Sequence, residues 1–396
     1  MLDIPQERID WRAKGFWLPD ASLTAADVAA ARPRIFDGGF TWPLLVIRDS
    51  AVRANIATMA AYCARHGVDF APHAKTTMAP RLLAAQFEAG AWGMTVATPN
   101  QALVMRRLGV PRVFLANQVL DPTALRWLAG ETAAGWEVCF QVDSVAGVRA
   151  AAAAATAGTG RLRVVAELGH PGGRTGARTI NDLEVVARAA AAADGLELAG
   201  VTGYEGQLKD QAGVDAFLDE LALAVRRLSA AGLLPERPIV SAGGSAWFDR
   251  VVARLGGAGL GHLILRSGAS VTHDDGYYRQ RTPFHRAPAE GALRAAMEMW
   301  AQVLSTPEPG LAVAGMGKRD APIDEGLPVV MAPAGLTVTK LNDHHTYLSV
   351  PPGVEVRPGD LLRFGLSHPC TAFDKWREIP VIDDDHRVVD VLHTYF

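Results

Sequence analysis

The sequence holds little cysteine and no long apolar run. Cys63, Cys139 and Cys370 are its only cysteines, and three scattered cysteines do not form a disulfide framework. The N-terminal segment MLDIPQERIDWRAKGF has no apolar core followed by small residues, so we expect no secretory signal. The longest apolar runs are alanine-rich, such as 150–155, and are too short to span a bilayer. These absences predict a soluble, cytoplasmic protein.

Basic charge is not concentrated anywhere along the chain. The formal net charge is -3, with 39 Lys and Arg against 42 Asp and Glu. Proteins that bind nucleic acid need a concentrated basic surface, so we do not expect nucleic acid as a partner. The 396 residues are more than one compact core usually absorbs. We therefore expect one large domain and a smaller one.

A repeating pattern runs from about residue 44 to 268: a short apolar or β-branched run, a polar turn, and a helix rich in Ala, Leu and Arg. Strands that alternate with helices and are apolar nearly throughout indicate a parallel sheet covered by helices. The nine runs are LLVI (44–47), VDFAP (68–72), GMTVA (93–97), RVFLA (112–116), EVCFQV (137–142), LRVVAEL (162–168), LELAGVTGY (196–204), PIVSAG (238–243) and HLILRSG (262–268).

A (β/α)8 barrel uses eight such strands, so one of the nine runs must lie elsewhere. The run 44–47 is the best candidate, because it follows an irregular, Pro-containing N-terminal arm. A doubly wound open sheet is the alternative, but no G-x-G-x-x-G follows the first strand. We predict an arm and strand over 1–48 and the barrel over 49–285.

The pattern changes after about residue 285. We predict a helix over 290–304, followed by short strands that Pro and Gly separate. The short runs are PVVMAP, LTVTKL, TYLSV, DLLRFGL, IPVI and RVVDVL. Short strands separated by turn residues are typical of antiparallel sheets. Residues 286–396 are therefore predicted to form an antiparallel β domain, which the strand of the N-terminal arm joins.

Lysine is scarce, with six residues in the chain, and one of them occupies a position typical of catalysis. Lys75 lies in PHAKTT (72–77), directly after a strand run and before a helix. Catalytic residues of a (β/α) barrel come from the carboxyl ends of its strands. A lysine there can form a Schiff base if burial lowers its pKa. An exposed loop lysine is the alternative, and it suits Lys209 better, because Lys209 lies farther into its loop.

Glycine-containing turns follow the last two strand runs. SAGGSAW (241–247) opens a helix, and RSGAS (266–270) follows the final run. Backbone N–H groups at a helix start, with a serine hydroxyl, bind phosphate well. Barrel enzymes often bind phosphate at the loops after late strands. A tight turn explains either loop alone, but two such loops opposite a strand-end lysine favour a phosphorylated cofactor.

Two further side chains follow strands at the same end of the predicted barrel. Arg174 lies in the glycine-rich loop ELGHPGGRTG (167–176), where it could balance phosphate or contact an aromatic ring. Tyr204 ends the next strand and could contact the cofactor ring. A structural loop arginine and a core tyrosine remain equal alternatives.

The segment SHPCTAFDKW (367–376) carries a second chemical signal. His368 and Cys370 are two residues apart, and residues at this spacing in an extended segment point to one face. An imidazole and a thiolate there can bind a metal such as zinc. Two protein ligands leave positions open for water and substrate. His344 and His345 are candidate neighbours, and the alternative is a packed cysteine beside an unrelated histidine.

PHAKTT, the Gly-Gly-Ser turn and the H-P-C segment occur together and in this order. That set resembles the D-serine dehydratase and D-threonine aldolase family, and the likeness runs along essentially the whole chain. Members are fold type III pyridoxal-phosphate enzymes related to alanine racemase. The resemblance implies an alanine racemase-like barrel with a C-terminal antiparallel β domain, pyridoxal 5'-phosphate, a divalent metal such as zinc, and a homodimer.

The resemblance also implies a role for each candidate residue. Lys75 would carry the cofactor as a Schiff base, and His368 and Cys370 would bind zinc or another divalent metal. Arg174 and Tyr204 would line the cofactor ring, and His73 would be a further cofactor contact. The residues implied for the phosphate are Gly243, Gly244, Ser245, Gly268 and Ala269.

The activity that the resemblance implies is β-elimination from a D-3-hydroxy amino acid, such as D-serine or D-threonine, to a 2-oxo acid and ammonia. Dehydratases of the family tend to carry cysteine where Cys370 stands, whereas aldolases tend to carry aspartate. Cys370 therefore favours dehydration. Many relatives have histidine where this chain has Thr77, and this departure leaves the subgroup open.

Three alternatives stay open beside dehydration. Retro-aldol cleavage would give glycine and an aldehyde with the same cofactor and metal. An amino-acid racemase would need a second acid or base on the opposite face of the cofactor and no metal. A non-catalytic pyridoxal-phosphate carrier belongs to another class, and the presence of residues 286–396 argues against it because such carriers lack a C-terminal β domain.

Overall fold

The computed structural model of the protein describes residues 2–157 and 160–396. The strands of this part of the chain are β1 (Arg8–Ile9), β2 (Leu23–Thr24), β3 (Leu44–Arg48), β4 (Asp69–Phe70), β5 (Met94–Val96), β6 (Arg112–Gln118), β7 (Glu137–Val142), β8 (Leu162–Leu168), β9 (Leu196–Gly203), β10 (Ile239–Ala242), β11 (His262–Leu265), β12 (Met297–Glu308), β13 (Leu311–Ala314), β14 (Val329–Ala332), β15 (Thr337–Leu341), β16 (Thr346–Ser349), β17 (Leu361–Gly365), β18 (Glu378–Ile382) and β19 (Val388–His393).

The α-helices of the described residues are α1 (Ala25–Ala31), α2 (Asp49–His66), α3 (Pro80–Glu88), α4 (Pro99–Arg107), α5 (Pro122–Ala133), α6 (Val145–Ala157), α7 (Ile180–Ala192), α8 (Gln211–Ala230), α9 (Phe248–Leu255) and α10 (Tyr277–Arg281). None of these helices is long and apolar enough to cross a bilayer. Short 3-10 helices add Ala74–Thr76, Pro283–His285, Pro288–Glu290 and Phe373–Lys375.

The first of two compact units comprises Ala60–Lys75 and Gln86–Gly268 with the start of the chain. Its sheet has eight strands in the order β4-β11-β10-β9-β8-β7-β6-β5, and every neighbouring pair is parallel. A parallel bridge between His73 and Thr95 joins the segment after β4 to β5, and the Trp92 N–H donates to the Phe70 carbonyl at 2.8 Å. These contacts close the sheet, and the predicted (β/α)8 barrel is confirmed.

Capping residues fix where several barrel helices begin. The side chains of Thr98, Asp121, Thr179 and Asp210 each accept a backbone N–H from the first turn of α4, α5, α7 and α8, respectively. Such a cap satisfies a donor that would otherwise have no partner at the helix start. Proline at the first position of α4 and α5 fits the same geometry. These caps set the length of the loops that precede the helices.

The barrel interior changes from apolar to polar toward the carboxyl ends of its strands. The apolar part is a cluster of buried residues, namely Ala71, Phe114, Ala116, Cys139, Val165, Ala199, Ile239 and Ile264. Buried polar side chains lie near or just beyond the strand ends, namely Gln141, Glu167, Thr202, Ser241 and Arg266. Buried polar groups need partners, so this end of the barrel carries the chemistry that the rest of the interior lacks.

The second compact unit comprises Ile4–Met59, Thr76–Ala85 and Ala269–Phe396. Its main sheet has the order β15-β16-β13-β12-β3-β18-β19, and β17 pairs with β12 and β14. The run that we excluded from the barrel is β3, which pairs antiparallel with β12 and parallel with β18. The predicted C-terminal β domain is therefore confirmed, with a mostly antiparallel sheet, while the domain boundaries at 48 and 285 stay predictions.

The helix predicted over 290–304 is wrong. Most of that stretch forms the long strand β12, which pairs with β3, β13 and β17. Met299, Ala301 and Val303 are buried, whereas the residues between them are partly exposed, so burial alternates with the period of a strand. Its alanines and leucine favour a helix, but pairing with three neighbouring strands along its length makes this stretch a strand.

Phe364 of β17 should be among the residues on which the second unit depends. It is fully buried in an apolar cluster with Met299, Leu366 and Trp376. We expect Phe364→Ala to lower the free energy of unfolding by about 3–5 kcal/mol, because it removes buried surface and leaves a cavity. Leu304→Ala, at a side chain that is 51% exposed, should change it by less than about 0.5 kcal/mol. Urea titrations would compare the two, and equal shifts would contradict this packing.

Candidate active site

Lys75 lies in the 3-10 helix Ala74–Thr76, after the barrel strand β4, and is half-buried. Its near neighbour His73 has a buried ring atom, Nδ1, without a hydrogen-bond partner in the described part of the chain. Burial and the positive charges of Lys75, Arg266 and Arg174 hold the pKa of His73 well below its ordinary value. His73 is therefore a neutral imidazole whose buried Nδ1 can form a hydrogen bond with a bound group.

The Gly-Gly-Ser turn after β10 holds an anionic group. The backbone N–H groups of Gly243 and Gly244 donate to the two carboxylate oxygens of Glu205, at 3.1 and 2.6 Å. Gly243 has a φ of +99°, which favours glycine, and the Ser245 hydroxyl lies 3.0 Å from the Ser267 hydroxyl. The turn thus presents N–H groups and hydroxyls as an anion site requires, and a buried carboxylate occupies the two glycine donors.

Arg174 and Tyr204 are brought together as a stacked pair. The guanidinium carbon Cζ of Arg174 lies 4.1 Å from the centroid of the Tyr204 ring, which is a cation–π contact. The Arg174 backbone N–H donates to Oε1 of Gln207 at 3.1 Å. Both predicted residues therefore belong to one cluster at the carboxyl ends of β8 and β9, whereas Lys209 is exposed.

Sequence reasoning missed two charged residues in this unit. Arg266 directly follows β11, is buried, and donates from Nη2 to the Gly203 carbonyl at 2.8 Å. Its Nε has no partner within the described residues, and burial lowers the pKa of its guanidinium. Glu205 is the other. The sequence signal for both was their position, because Arg266 is the first residue after β11 and Glu205 is the second residue after β9.

Gly268 and Ala269 are both buried in the turn after Arg266. Gly268 is the last residue of the first unit, and Ala269 begins the final segment of the second. Their predicted role at a phosphate stays a prediction.

His368 and Cys370 are brought together in the second unit. Their segment forms a bend and turn instead of the extended segment that we expected, so spacing in a strand is not what aligns them. The two side chains nevertheless lie near enough for Cys370 to raise the pKa of the His368 imidazole. The Thr76 hydroxyl, in the residue that follows Lys75, lies 3.6 Å from Sγ of Cys370.

Asp324 contacts the same histidine and was missed from the sequence. Its Oδ2 lies 2.6 Å from Nδ1 of His368, and its Oδ1 accepts from the Thr371 hydroxyl at 2.9 Å. Burial opposes a charged imidazole, but the hydrogen bond and charge of Cys370, followed by those of Asp324, raise the pKa of His368 to about 9. The signal in the sequence was weak, because 44 residues separate the two partners.

His344 and His345 are exposed between β15 and β16, and Nδ1 of His344 lies 4.0 Å from Asp320. No group of three or more His, Cys, Asp or Glu side chains arranged to hold a metal occurs among residues 2–157 and 160–396. A metal here would therefore rely on two protein ligands, with other positions left to water or substrate, as catalytic sites allow.

Both implied groups fit the residues present. Pyridoxal phosphate carries an anionic phosphate and a polar aromatic ring. The turn at Gly243 already binds a carboxyl group, and buried atoms of His73 and Arg266 have no hydrogen-bond partner in the part of the chain that the structure describes. A borderline metal fits because the segment carries an imidazole and a thiol two residues apart, and a carboxylate contacts the imidazole from its other side.

A parallel (β/α)8 barrel with a strand-end lysine, together with an antiparallel β unit, defines a class of pyridoxal-phosphate proteins. Residues 47–256 match the family model "Alanine racemase, N-terminal domain", which is more than half of the chain, and residues 296–382 match "Putative serine dehydratase domain". The chain therefore belongs to the fold type III pyridoxal-phosphate family, in the group of D-serine dehydratase and D-threonine aldolase. This family depends on pyridoxal phosphate.

Individual relatives carry two kinds of activity in their names. The chain is 27% identical over 348 residues to a 3-hydroxy-D-aspartate aldolase of Paracoccus denitrificans, covering 85% of this chain and 87% of the relative. The crystal structure of D-threonine aldolase from Filomicrobium marinum matches with a TM-score of 0.78 and 24% identity, covering 89% of this chain and 94% of that one.

A dehydratase has a similar fold. D-threo-3-hydroxyaspartate dehydratase from Delftia sp. HT23 matches with a TM-score of 0.73 and 24% identity, over 90% of this chain and 97% of that one. Aldolases and dehydratases are both lyases, so the relatives agree on the class of reaction and differ on which bond is broken.

Proposed function

We propose that this chain is a pyridoxal-phosphate- and metal-dependent lyase that dehydrates a D-3-hydroxy amino acid, such as D-serine or D-threonine, to a 2-oxo acid and ammonia. One observation carries the proposal. Sγ of Cys370, two residues from His368, lies 3.6 Å from the hydroxyl of Thr76, the residue that follows Lys75. The chain's family uses pyridoxal phosphate, and Lys75 stands after the barrel strand β4.

Pyridoxal phosphate, when bound, supplies an electron sink for the carbanion at the substrate α-carbon. Lys75 would hold the cofactor covalently, and its amine, once displaced by the substrate, would take the α-proton. Arg174 and Tyr204 would flank the ring as the stacked pair that they already form. The phosphate would be held by the Gly243–Ser245 turn with Gly268 and Ala269, where it would have to replace the Glu205 carboxyl group on the Gly243 and Gly244 N–H groups. His73 would offer its buried nitrogen.

A divalent metal, when bound, supplies a Lewis acid beside the substrate β-hydroxyl. His368 and Cys370 would hold it, and we propose zinc because imidazole and thiolate are ligands that zinc accepts readily. The thiolate of Cys370 donates more charge than a carboxylate oxygen would. A β-hydroxyl near this donor set therefore keeps its proton more readily than it would near an oxygen-rich set.

Retention of that proton decides between the two lyase reactions. In elimination the hydroxyl departs with its proton after the α-proton has been removed. Retro-aldol cleavage instead needs the hydroxyl to lose its proton, so that the Cα–Cβ bond can break. Cys370 thus favours elimination. Aldolase activity is the second candidate, because a relative that is 27% identical over most of its length carries that name.

A product assay on D-threonine separates the two. We expect 2-oxobutyrate and ammonia as the main products of the enzyme loaded with pyridoxal phosphate and zinc, and we expect L-threonine to be inert. The measurement quantifies 2-oxobutyrate and glycine in the same quenched samples. Glycine and acetaldehyde as the dominant products would move the chain to aldolase activity.

Cys370→Asp is the matched variant for this assay. It replaces the thiolate by the carboxylate that we associate with aldolases and keeps one negative ligand. We expect the ratio of glycine to 2-oxobutyrate to rise in this variant. An unchanged ratio would show that Cys370 does not set the choice of bond.

A further inference from the structure

We propose that Asp324 is a positioning residue that fixes the tautomer and the direction of the His368 imidazole for metal binding. The inference rests on the metal site of the proposed function. It adds a residue that lies outside the H-P-C motif.

Asp324 uses both of its carboxylate oxygens within this small group of side chains. Oδ2 lies 2.6 Å from Nδ1 of His368, and Oδ1 accepts from the Thr371 hydroxyl at 2.9 Å. A carboxylate bound at both oxygens has little freedom to rotate away from the ring. His368 is also the more buried partner, with 15% of its side chain exposed against 39% for Asp324. The ring edge that Asp324 contacts is therefore well defined.

The loop that carries Asp324 is attached to the loop that carries His368. The Ser367 hydroxyl donates to the Glu325 carbonyl at 2.6 Å. Gly326 has a φ of +120°, and a Cβ at that position would lie 2.8 Å from Oγ of Ser367. Another residue at 326 would therefore be strained by this φ and would press against the Ser367 side chain. This close fit places Asp324 by backbone contacts as well as by its side chain.

The chemistry of the contact selects one ring nitrogen for the metal. A carboxylate only accepts hydrogen bonds, so a neutral His368 beside Asp324 carries its proton on Nδ1. The lone pair is then on Nε2, which is the ring nitrogen left for a metal. Histidine ligands commonly donate their second N–H to a carboxylate in this way, and loss of that partner typically costs about 10–100-fold in metal affinity.

Asp324 orients His368 and does not serve as a third ligand. Its two oxygens are already committed to His368 and Thr371, and no cluster of three metal-binding side chains occurs within the described residues. Thr371 extends the same chain of contacts, because its hydroxyl fixes the rotation of the carboxylate. Loss of the Thr371 hydroxyl should therefore also weaken metal binding, but by less than loss of the Asp324 carboxylate.

The experiment measures metal affinity in the full-length protein with pyridoxal phosphate bound. Zinc dissociation constants come from competition with a chelator, and Co²⁺ reports the thiolate ligand through its charge-transfer absorbance. Burial raises the pKa of Cys63 and of Cys139 to about 12. Cys370 is therefore the thiol that the cobalt absorbance follows.

Asp324→Ala should weaken zinc binding by about 10–100-fold and shift the cobalt spectrum. Asp324→Asn keeps the shape of the side chain and should weaken binding by about tenfold, because the amide can present N–H₂ to Nδ1 and place the ring proton on Nε2. Thr371→Val should resemble a milder form of these variants, and Thr371→Ser should restore wild-type binding. Asp374→Asn is the matched control, since it makes the same change at an exposed aspartate of the same segment.

Wild-type affinity and an unchanged cobalt spectrum in both Asp324 variants would overturn the inference. If Asp324→Ala does not fold, as judged by its thermal melting curve, the isosteric Asn variant decides. Failure of the proposed function gives other results. If the wild type binds cobalt no better than Cys370→Ala does, there is no metal site at His368 and Cys370, and the inference falls with it. If glycine is the main product but the Asp324 variants still bind zinc more weakly, the proposed reaction is wrong and the inference about Asp324 stands.

Discussion

Lys75→Ala is expected to abolish turnover and to remove the visible absorbance of the bound cofactor. The variant loses the only group proposed both to hold the cofactor covalently and to take the α-proton. General bases alone contribute roughly 10²–10⁴-fold to rate, and the loss of covalent attachment adds to this. The measurement is the absorbance spectrum of the purified protein together with the rate of 2-oxo acid formation.

Borohydride reduction of the wild type gives an independent readout of attachment. Peptide mass spectrometry should then find the added cofactor mass on the peptide that contains Lys75. Lys209→Ala serves as the control, because Lys209 also follows a barrel strand but is exposed. Loss of absorbance in Lys209→Ala, with Lys75→Ala unaffected, would place the cofactor in a different loop from the one we propose.

The barrel was predictable because its strands are buried nearly throughout. β8 is an apolar run in sequence and is buried at six of its seven positions. Several such runs are followed by a residue that caps the next helix, as Asp121 and Thr179 do. Two local signals, strand burial and helix capping, therefore agree at these repeats, and such agreement is what allows a fold to be predicted from its sequence.

β12 was not predictable for the complementary reason. The segment around Ala295 and Ala301 has helix-forming residues, and its strand conformation depends on pairing with β3, which lies about 250 residues earlier in the chain. Local propensity carries no information about such a distant partner. Pairing and burial against the sheet decide the conformation there.

Candidate residues divide in the same way. Lys75, Arg174 and Tyr204 stand at or beyond strand ends in motifs, and strand ends are a rule of the fold. Asp324 lies in a loop rich in Pro and Gly, where no pattern distinguishes it from Asp320 or Asp343. Only the folded chain brings it to His368. A contact between residues so far apart in sequence is seen only in the folded structure.

The second large effect concerns the two metal ligands. We expect His368→Ala and Cys370→Ala each to lower turnover of D-threonine by about 10²–10³-fold while the cofactor absorbance remains. A Lewis acid contributes several kcal/mol to transition-state stabilisation, and each 1.4 kcal/mol or so is tenfold in rate. Because the two side chains would hold the same metal ion, the double variant should be little worse than either single one.

Chelation of the wild type tests the same site without a substitution. Treatment with a chelator should reduce turnover by a similar factor, and added zinc should restore the chelated wild type but neither variant. His345→Ala is the control for loss of a histidine, because His345 is exposed in the turn after β15. Persistence of the cofactor absorbance in every sample separates loss of metal from loss of cofactor. Full turnover by metal-free wild type would exclude a catalytic metal at His368 and Cys370.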